Sequence, residues 1–345
     1  MTLVYFILIL GIIVLIHEFG HYFFAKRAGI YVYEFSIGMG PRLLKWTRKN
    51  DETEYSIRLI PIGGYVQMAG EEVEDDPDVP KKMKFMSKTF SQKFMTVIAG
   101  IMNNFILAIV LFFVLALFNG APQNKALIGE ISSDLPAYSS GLKQGDKVVT
   151  LNGKKADTYD IFALELQVNN GKPITLEVDR GGTFYTVNIK PKKVKENGKD
   201  VYRYGFKLND EVKTGFFESI IYAFSKTISL IYQMILTIFY LVTGTLGLKS
   251  FSGPVGIYNI VGQAASSGIW TLISLTALLS INVGFINLLP LPAFDGGRLL
   301  FIIIEKISGK KVDPKLENTI HSVGFFLLMA LMILITYNDI IRLIK

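Results

Sequence analysis

The chain has 345 residues, half of them hydrophobic, with 36 lysines and arginines against 29 acidic residues, a net charge of +7, three histidines and no cysteine. That composition excludes an ordinary soluble enzyme and points to a membrane protein carrying a soluble insert. The lack of cysteine excludes disulfides and thiolate metal ligands, while the basic residues, spread through loops beside apolar runs, follow membrane topology and imply no nucleic-acid partner.

The first predicted element is a spanning helix over about 3 to 25. No cationic stretch precedes it and no small-residue cleavage pattern accompanies it, so it reads as retained and not as a removed signal peptide. Within it stands His17-Glu18-Phe19-Gly20-His21. A helix turns about 100° per residue, which puts His17 and His21 about 40° apart on one face with Glu18 beside them. H-E-x-x-H on a helix is the arrangement in which both histidines hold zinc and the glutamate serves as general base. Ionisable groups are expensive at bilayer depth, so three in such a run call for a function; the plain alternative is hydrogen bonding between packed helices.

The loop that follows predicts two β-strands, 31 to 37 and 54 to 68, from alternating apolar and aromatic residues bounded by Gly38, Gly40, Pro41, Gly63 and Gly64. Together they read as a hairpin. The acidic run from Glu71 to Asp78 reads as a solvated loop. A second span is predicted over 94 to 118, and the polar stretch 122 to 212, with runs such as KVVTLNG and ITLEVDR, as a compact α/β module. Further apolar segments cover 217 to 246, 269 to 291 and 319 to 341.

Charge sets the sidedness. Lys26, Arg27, Arg42, Lys45, Arg48 and Lys49 follow the first span and Lys81, Lys82, Lys84, Lys88 and Lys93 precede the second, so that loop is cytoplasmic and the α/β module external. The loop around Lys306, Lys310, Lys311 and Lys315 is also basic, so the span 269 to 291 ends inside. A crossing at 217 to 246 would reverse it. That segment is therefore expected along the outer surface or against the bundle, leaving four crossings and both termini outside.

Two histidines do not close a catalytic zinc site, which needs a third protein ligand and one position for water. The candidate is Asp295, just past the cytoplasmic end of the 269 to 291 span and hence at the depth of His17 and His21. Pro290 and Pro292 stop the helix and Gly296 and Gly297 allow a tight turn, so Asp295 is expected to point inward from an irregular segment; a plain interfacial turn is the alternative. Asn287 is an intramembrane amide able to hydrogen-bond a substrate backbone or a neighbouring helix. His321, with no partner at ligand spacing, reads as structural.

These residues resemble the site-2 protease family of intramembrane zinc metalloproteases. The likeness rests on His17 to His21, on Pro61-Ile62-Gly63-Gly64-Tyr65, on Ser252-Gly253-Pro254, and on NxxPxPxxDG from Asn287 to Gly296. Leu135-Pro136-Ala137, Gly141-Leu142, Gly145-Asp146-Lys147-Val148 and Leu151-Asn152-Gly153 resemble a PDZ domain, as in the bacterial single-PDZ form. Phe294 departs from the leucine that many members carry there.

The resemblance implies a polytopic α-helical membrane protein with four spans, a cytoplasmic membrane-associated β-hairpin and an inserted α/β PDZ-like domain, divided as 1–121, 122–212 and 213–345. It implies zinc on His17, His21 and Asp295, Glu18 as catalytic base, and substrate contacts from Asn287, Gly63, Gly64 and Tyr65. The expected location is the bacterial inner membrane, with the PDZ-like domain extracytoplasmic and the active site near the cytoplasmic face. Expected partners are the lipid bilayer, single-span membrane substrates such as clipped anti-sigma factors or signal-peptide remnants, and a peptide C-terminus at the PDZ-like domain. The competing readings are a protease of exposed juxtamembrane segments and a non-catalytic PDZ scaffold or transporter.

Overall fold

The computed structural model describes residues 1–71, 77–196, 199–209, 211–247 and 252–344. They fall into two units, Met1–Leu111 with Lys249–Lys345, and Phe112–Leu248. Most of the expected acidic loop, residues 72–76, lies outside the described residues.

Helix α1 (Thr2–Arg27) is an apolar run of 26 residues, about 39 Å long, closed by Lys26 and Arg27 where cations favour a helix C-terminus. Strands β1 (Val32–Thr47) and β2 (Glu54–Met68) follow. This is more than the expected hairpin. β1 continues ten residues past Ile37 because Gly38 and Gly40 take positive φ, +88° and +82°, and bend the strand without ending its pairing. Residues Glu34–Ile37 consequently pair with Gly64–Gln67 on one side and Glu54–Ile57 on the other, while Lys45 and Thr47 pair with Ser56 and Glu54. The fold-back is pinned by buried Glu34, which accepts hydrogen bonds from Ser56 (2.5 Å), Arg58 (2.8 Å), Tyr65 (2.9 Å) and Arg42 (2.9 Å). Burial pushes the Glu34 carboxyl up, but the Ser56, Arg58 and Tyr65 hydrogen bonds outweigh it and hold the group below its ordinary pKa. The bent end of the sheet leaves Met39, Leu43, Leu44, Leu59 and Ile60 exposed.

Helix α2 (Phe90–Asn119) carries the second apolar run. It approaches α1 closely: a Cβ on Gly20 would stand 2.5 Å from the Ala99 carbonyl oxygen, and one on Gly100 would overlap the His21 ring. Small residues of this kind let helix backbones meet where water provides no drive.

In the second unit the chain forms β3 (Ala121–Pro122), β4 (Leu127–Ile131), α3 (Pro136–Ser139), β5 (Lys147–Leu151), β6 (Lys154–Lys155), α4 (Tyr159–Val168), β7 (Ile174–Arg180), β8 (Thr183–Ile189), β9 (Lys192–Glu196), β10 (Lys199–Arg203), β11 (Phe206–Asn209) and β12 (Val212–Lys213). The main sheet runs β11-β4-β5-β7-β8 with β6 on β5. Alternation along β7 turns Ile174, Leu176 and Val178 into a core with Ile128, Val148, Leu151, Phe162 and Ile189.

Helix α5 (Phe216–Val242) belongs to this second unit. Its Phe217, Ile221, Phe224, Ile228, Tyr232, Ile235 and Phe239 are exposed at three- and four-residue spacing, one largely apolar stripe. The opposite face docks on α4: Lys226 pairs with Asp160 (2.5 Å), Ser229 and Gln233 donate to Asp160 (2.9 and 3.1 Å), and Tyr240 donates to Glu165.

The first unit resumes with α6 (Pro254–Ser266), α7 (Ile269–Leu288), α8 (Asp295–Ser308) and α9 (Pro314–Ile344). Helix α6 extends the SGP sequence: Pro254 sits in its first turn, and buried Asp339 accepts from the Gly256 amide at 2.8 Å, a negative charge where a helix N-terminus favours it. Among the described residues five helices are long and apolar enough to span a membrane: α1, α2, α5, α7 and residues 315–341 of α9.

Candidate metal centre

Helix α1 projects His17 and His21 from one face, as the four-residue spacing requires, and both are buried. Their Nε2 atoms lie 3.2 Å apart. Helix α7 stops at Leu288, short of the expected 291, because Leu289 precedes a proline and turns extended (ψ 137°). The irregular stretch is thus 289–294, and Asp295 is the first residue of α8 rather than part of that stretch. Ala293 holds a positive φ of +74°, and its amide donates to His321 Nδ1 at 3.1 Å. His321 therefore braces the turn that delivers Asp295.

Asp295 Oδ2 reaches 3.1 Å from His17 Nε2 and 3.3 Å from His21 Nε2. No hydrogen bond satisfies that buried oxygen. The reason is visible at His21, whose Nδ1 lies 2.9 Å from the Thr96 carbonyl. A carbonyl only accepts, so His21 Nδ1 carries a proton, and in the neutral ring a metal requires, Nε2 offers a lone pair. One nitrogen from each imidazole and one carboxylate oxygen thus converge on a common point that a cation can fill. The donor set of two imidazoles and one carboxylate, with no thiolate, fits a catalytic zinc site with one position left for water.

Glu18 borders the same cavity, about 260 Å³, with Tyr65, Val66, Glu71, Asn287 and Arg298. The Val66 amide donates to the Glu18 carboxylate, so strand β2 holds the proposed base. A Cβ on Gly64 would stand 2.6 Å from the Ser36 carbonyl and 3.5 Å from Glu18 Cγ, so glycine sets how closely the strand approaches. Asn287 now donates to its own helix at Val283 O (3.0 Å), and Tyr65 is held by Glu34. Gly63 is turned toward Met39 and is not among the residues lining the cavity. Sequence reading missed the Arg298–Glu71 ion pair in the cavity wall and the support from Thr96 and Asn104. Two adjacent amides, Asn103 and Asn104, inside an apolar helix were the available signal.

The chain matches Peptidase family M50 over residues 5–331. It is 33% identical to the zinc metalloprotease RasP of Geobacillus kaustophilus, across 98% of this chain and 97% of the relative. It is 34% identical to RasP of Shouchella clausii across 99% of both. The PDZ domain of an SdrC-like protein from Listeria monocytogenes aligns at 17% identity with a TM-score of 0.21, over 25% of this chain and 87% of that domain. A helix-borne HExxH closed by a distant aspartate among apolar helices defines a membrane metallopeptidase. The chain belongs to peptidase family M50 and is a site-2-type zinc metalloprotease.

Proposed function

We propose that the chain hydrolyses peptide bonds within transmembrane segments of membrane proteins already clipped on the outside, such as anti-sigma factors or signal-peptide remnants. The observation that carries this is the convergence of His17, His21 and Asp295 beside Glu18, in a cavity walled by residues of α1, α2, α7, α8 and strand β2. His17, His21 and Asp295 hold zinc, which when bound lowers the pKa of a coordinated water toward about 7 and polarises a carbonyl. Glu18 accepts the water proton and returns it to the leaving amine. A peptide in a helix hides its carbonyl, so it must be held unwound; the 64–68 edge of β2 offers backbone groups for strand addition beside Glu18. Asn287 can exchange Val283 O for a substrate carbonyl, while Gly63, Gly64 and Tyr65 shape that edge.

Assays of the purified enzyme with a transmembrane peptide in bilayers and with a detergent-solubilised loop peptide test this reading. The transmembrane peptide is cut inside its apolar run; preferential cutting of the loop peptide would show a protease of exposed segments instead. Proline at alternate positions of 64–68 in the same assay lowers cleavage if the edge holds substrate, and unchanged cleavage removes the strand from the mechanism.

The enzyme resides in the bacterial inner membrane, with the site near the cytoplasmic face and the PDZ-like module, 122–212, between the membrane parts 1–121 and 213–345. That module binds a newly cut C-terminus or screens out intact ectodomains. Helix α5 lies on the outer surface, leaving four crossings. Its docking on α4 from Lys226 to Tyr240 covers roughly 20 Å of helix, and a polar module cannot follow that face into hydrocarbon. Single cysteines at Gly215 and Thr243, in this cysteine-free chain, are expected to react with an impermeant reagent from the same, outer side. Labelling of Thr243→Cys from the inside alone would make α5 a fifth span.

A further inference from the structure

We infer that Asn104 is a positioning residue for zinc, acting by accepting the Nδ1 proton of His17; this rests on the assignment of His17 as a ligand. Asn104 is fully buried in α2, and its side-chain amide lies 3.1 Å from His17 Nδ1. The opposite ring nitrogen, Nε2, faces His21 and Asp295. Whichever end of the amide meets Nδ1 therefore decides which His17 nitrogen carries the proton.

With the amide nitrogen toward the ring, Nδ1 accepts and Nε2 holds a proton. That arrangement blocks His17 as a ligand. That proton would stand at the point where the ligand atoms converge, its Nε2 lying 3.2 Å from His21 Nε2 and 3.1 Å from Asp295 Oδ2. A half-turn of the amide reverses this: Oδ1 accepts from Nδ1–H, and Nε2 presents its lone pair where His21 and Asp295 present theirs. Asn104 and Thr96, both on α2, then perform the same task for the two histidines of α1.

The placement of Asn104 is fixed from both sides. Its carbonyl accepts from Ser280 of α7 at 2.8 Å, and a Cβ on Gly284 would come within 3.2 Å of Asn104 Cβ. On the α1 side the neighbouring Asn103 donates to Ile16 O at 3.1 Å. The backbone of Asn104 is thus held so that its amide stays beside the ring.

Zinc affinity of the full-length protein, measured by chelator competition, tests the inference without an activity readout. Asn104→Leu removes the acceptor and is expected to weaken zinc binding about 10–100-fold, the usual effect of losing an outer partner of a ligating histidine. Asn104→Asp, which can only accept, is expected to stay within about threefold of wild type or bind more tightly. The inference is overturned if Asn104→Leu binds like wild type, or if Asn104→Asp loses as much as Asn104→Leu. Should Asn104→Leu not fold, nitrogen NMR of the zinc-loaded wild type decides. A His17 Nδ1 proton protected from exchange and coupled to the Asn104 amide supports the inference, and a freely exchanging one overturns it. His17→Ala separates the two levels: retained affinity there defeats the ligand assignment itself, whereas lost affinity there with a wild-type Asn104→Leu defeats only the role of Asn104.

Discussion

Glu18→Gln is expected to lower cleavage of a clipped single-span substrate by at least about 10²–10⁴-fold, the range a positioned general base contributes. Glutamine matches the shape of glutamate and can still accept the Val66 amide proton through its side-chain oxygen, so strand β2 should keep its approach to α1. The proton acceptor alone is lost. Zinc stoichiometry and thermal unfolding of the variant should match wild type, because Glu18 is absent from the converging ligand group. Turnover that survives with zinc bound would remove Glu18 as the base. A scaffold or transporter would be indifferent to the same change, so the result also separates those readings from a protease.

Asp295→Ala is expected to strip zinc from the purified protein and abolish cleavage. Losing an outer partner of a ligating histidine costs about 10–100-fold in metal affinity, and loss of one of three inner ligands should exceed that. Two imidazoles from one helix cannot alone complete the site. The substitution should leave the fold in place, because the turn before α8 is braced separately by the Ala293 to His321 hydrogen bond and Arg298 pairs with Glu71. Metal analysis and thermal unfolding check the two halves of this result. Full zinc occupancy in the variant would mean that Asp295 is not a ligand.

Much of this centre was legible because its residues are costly where they stand. His17, Glu18 and His21 interrupt an apolar helix, and the basic loops alone imply the same depth for Asp295. What escaped was whatever depends on backbone. Thr96 supports His21 through a carbonyl that any residue would supply. Gly38, Gly40 and Pro41 read as the end of a strand, yet the glycines bend β1 and let it run to Thr47, held by Glu34. Helix α8 was hidden for the opposite reason, since PLPAFDGG carries strong turn signals that conceal a helix beginning at Asp295. For α5 composition alone is ambiguous; its polar face acquires meaning only through Asp160 and Glu165 on α4.

The central claim, that two segments 274 residues apart in the chain form one zinc site, is met most directly by zinc X-ray absorption on the purified protein. Two imidazole nitrogens and oxygen donors at about 2.0–2.2 Å, with the oxygen shell or the metal itself lost in Asp295→Ala, is the result predicted here. A spectrum showing three imidazoles, which would bring His321 in as the third ligand, or one unchanged by Asp295→Ala, would contradict it.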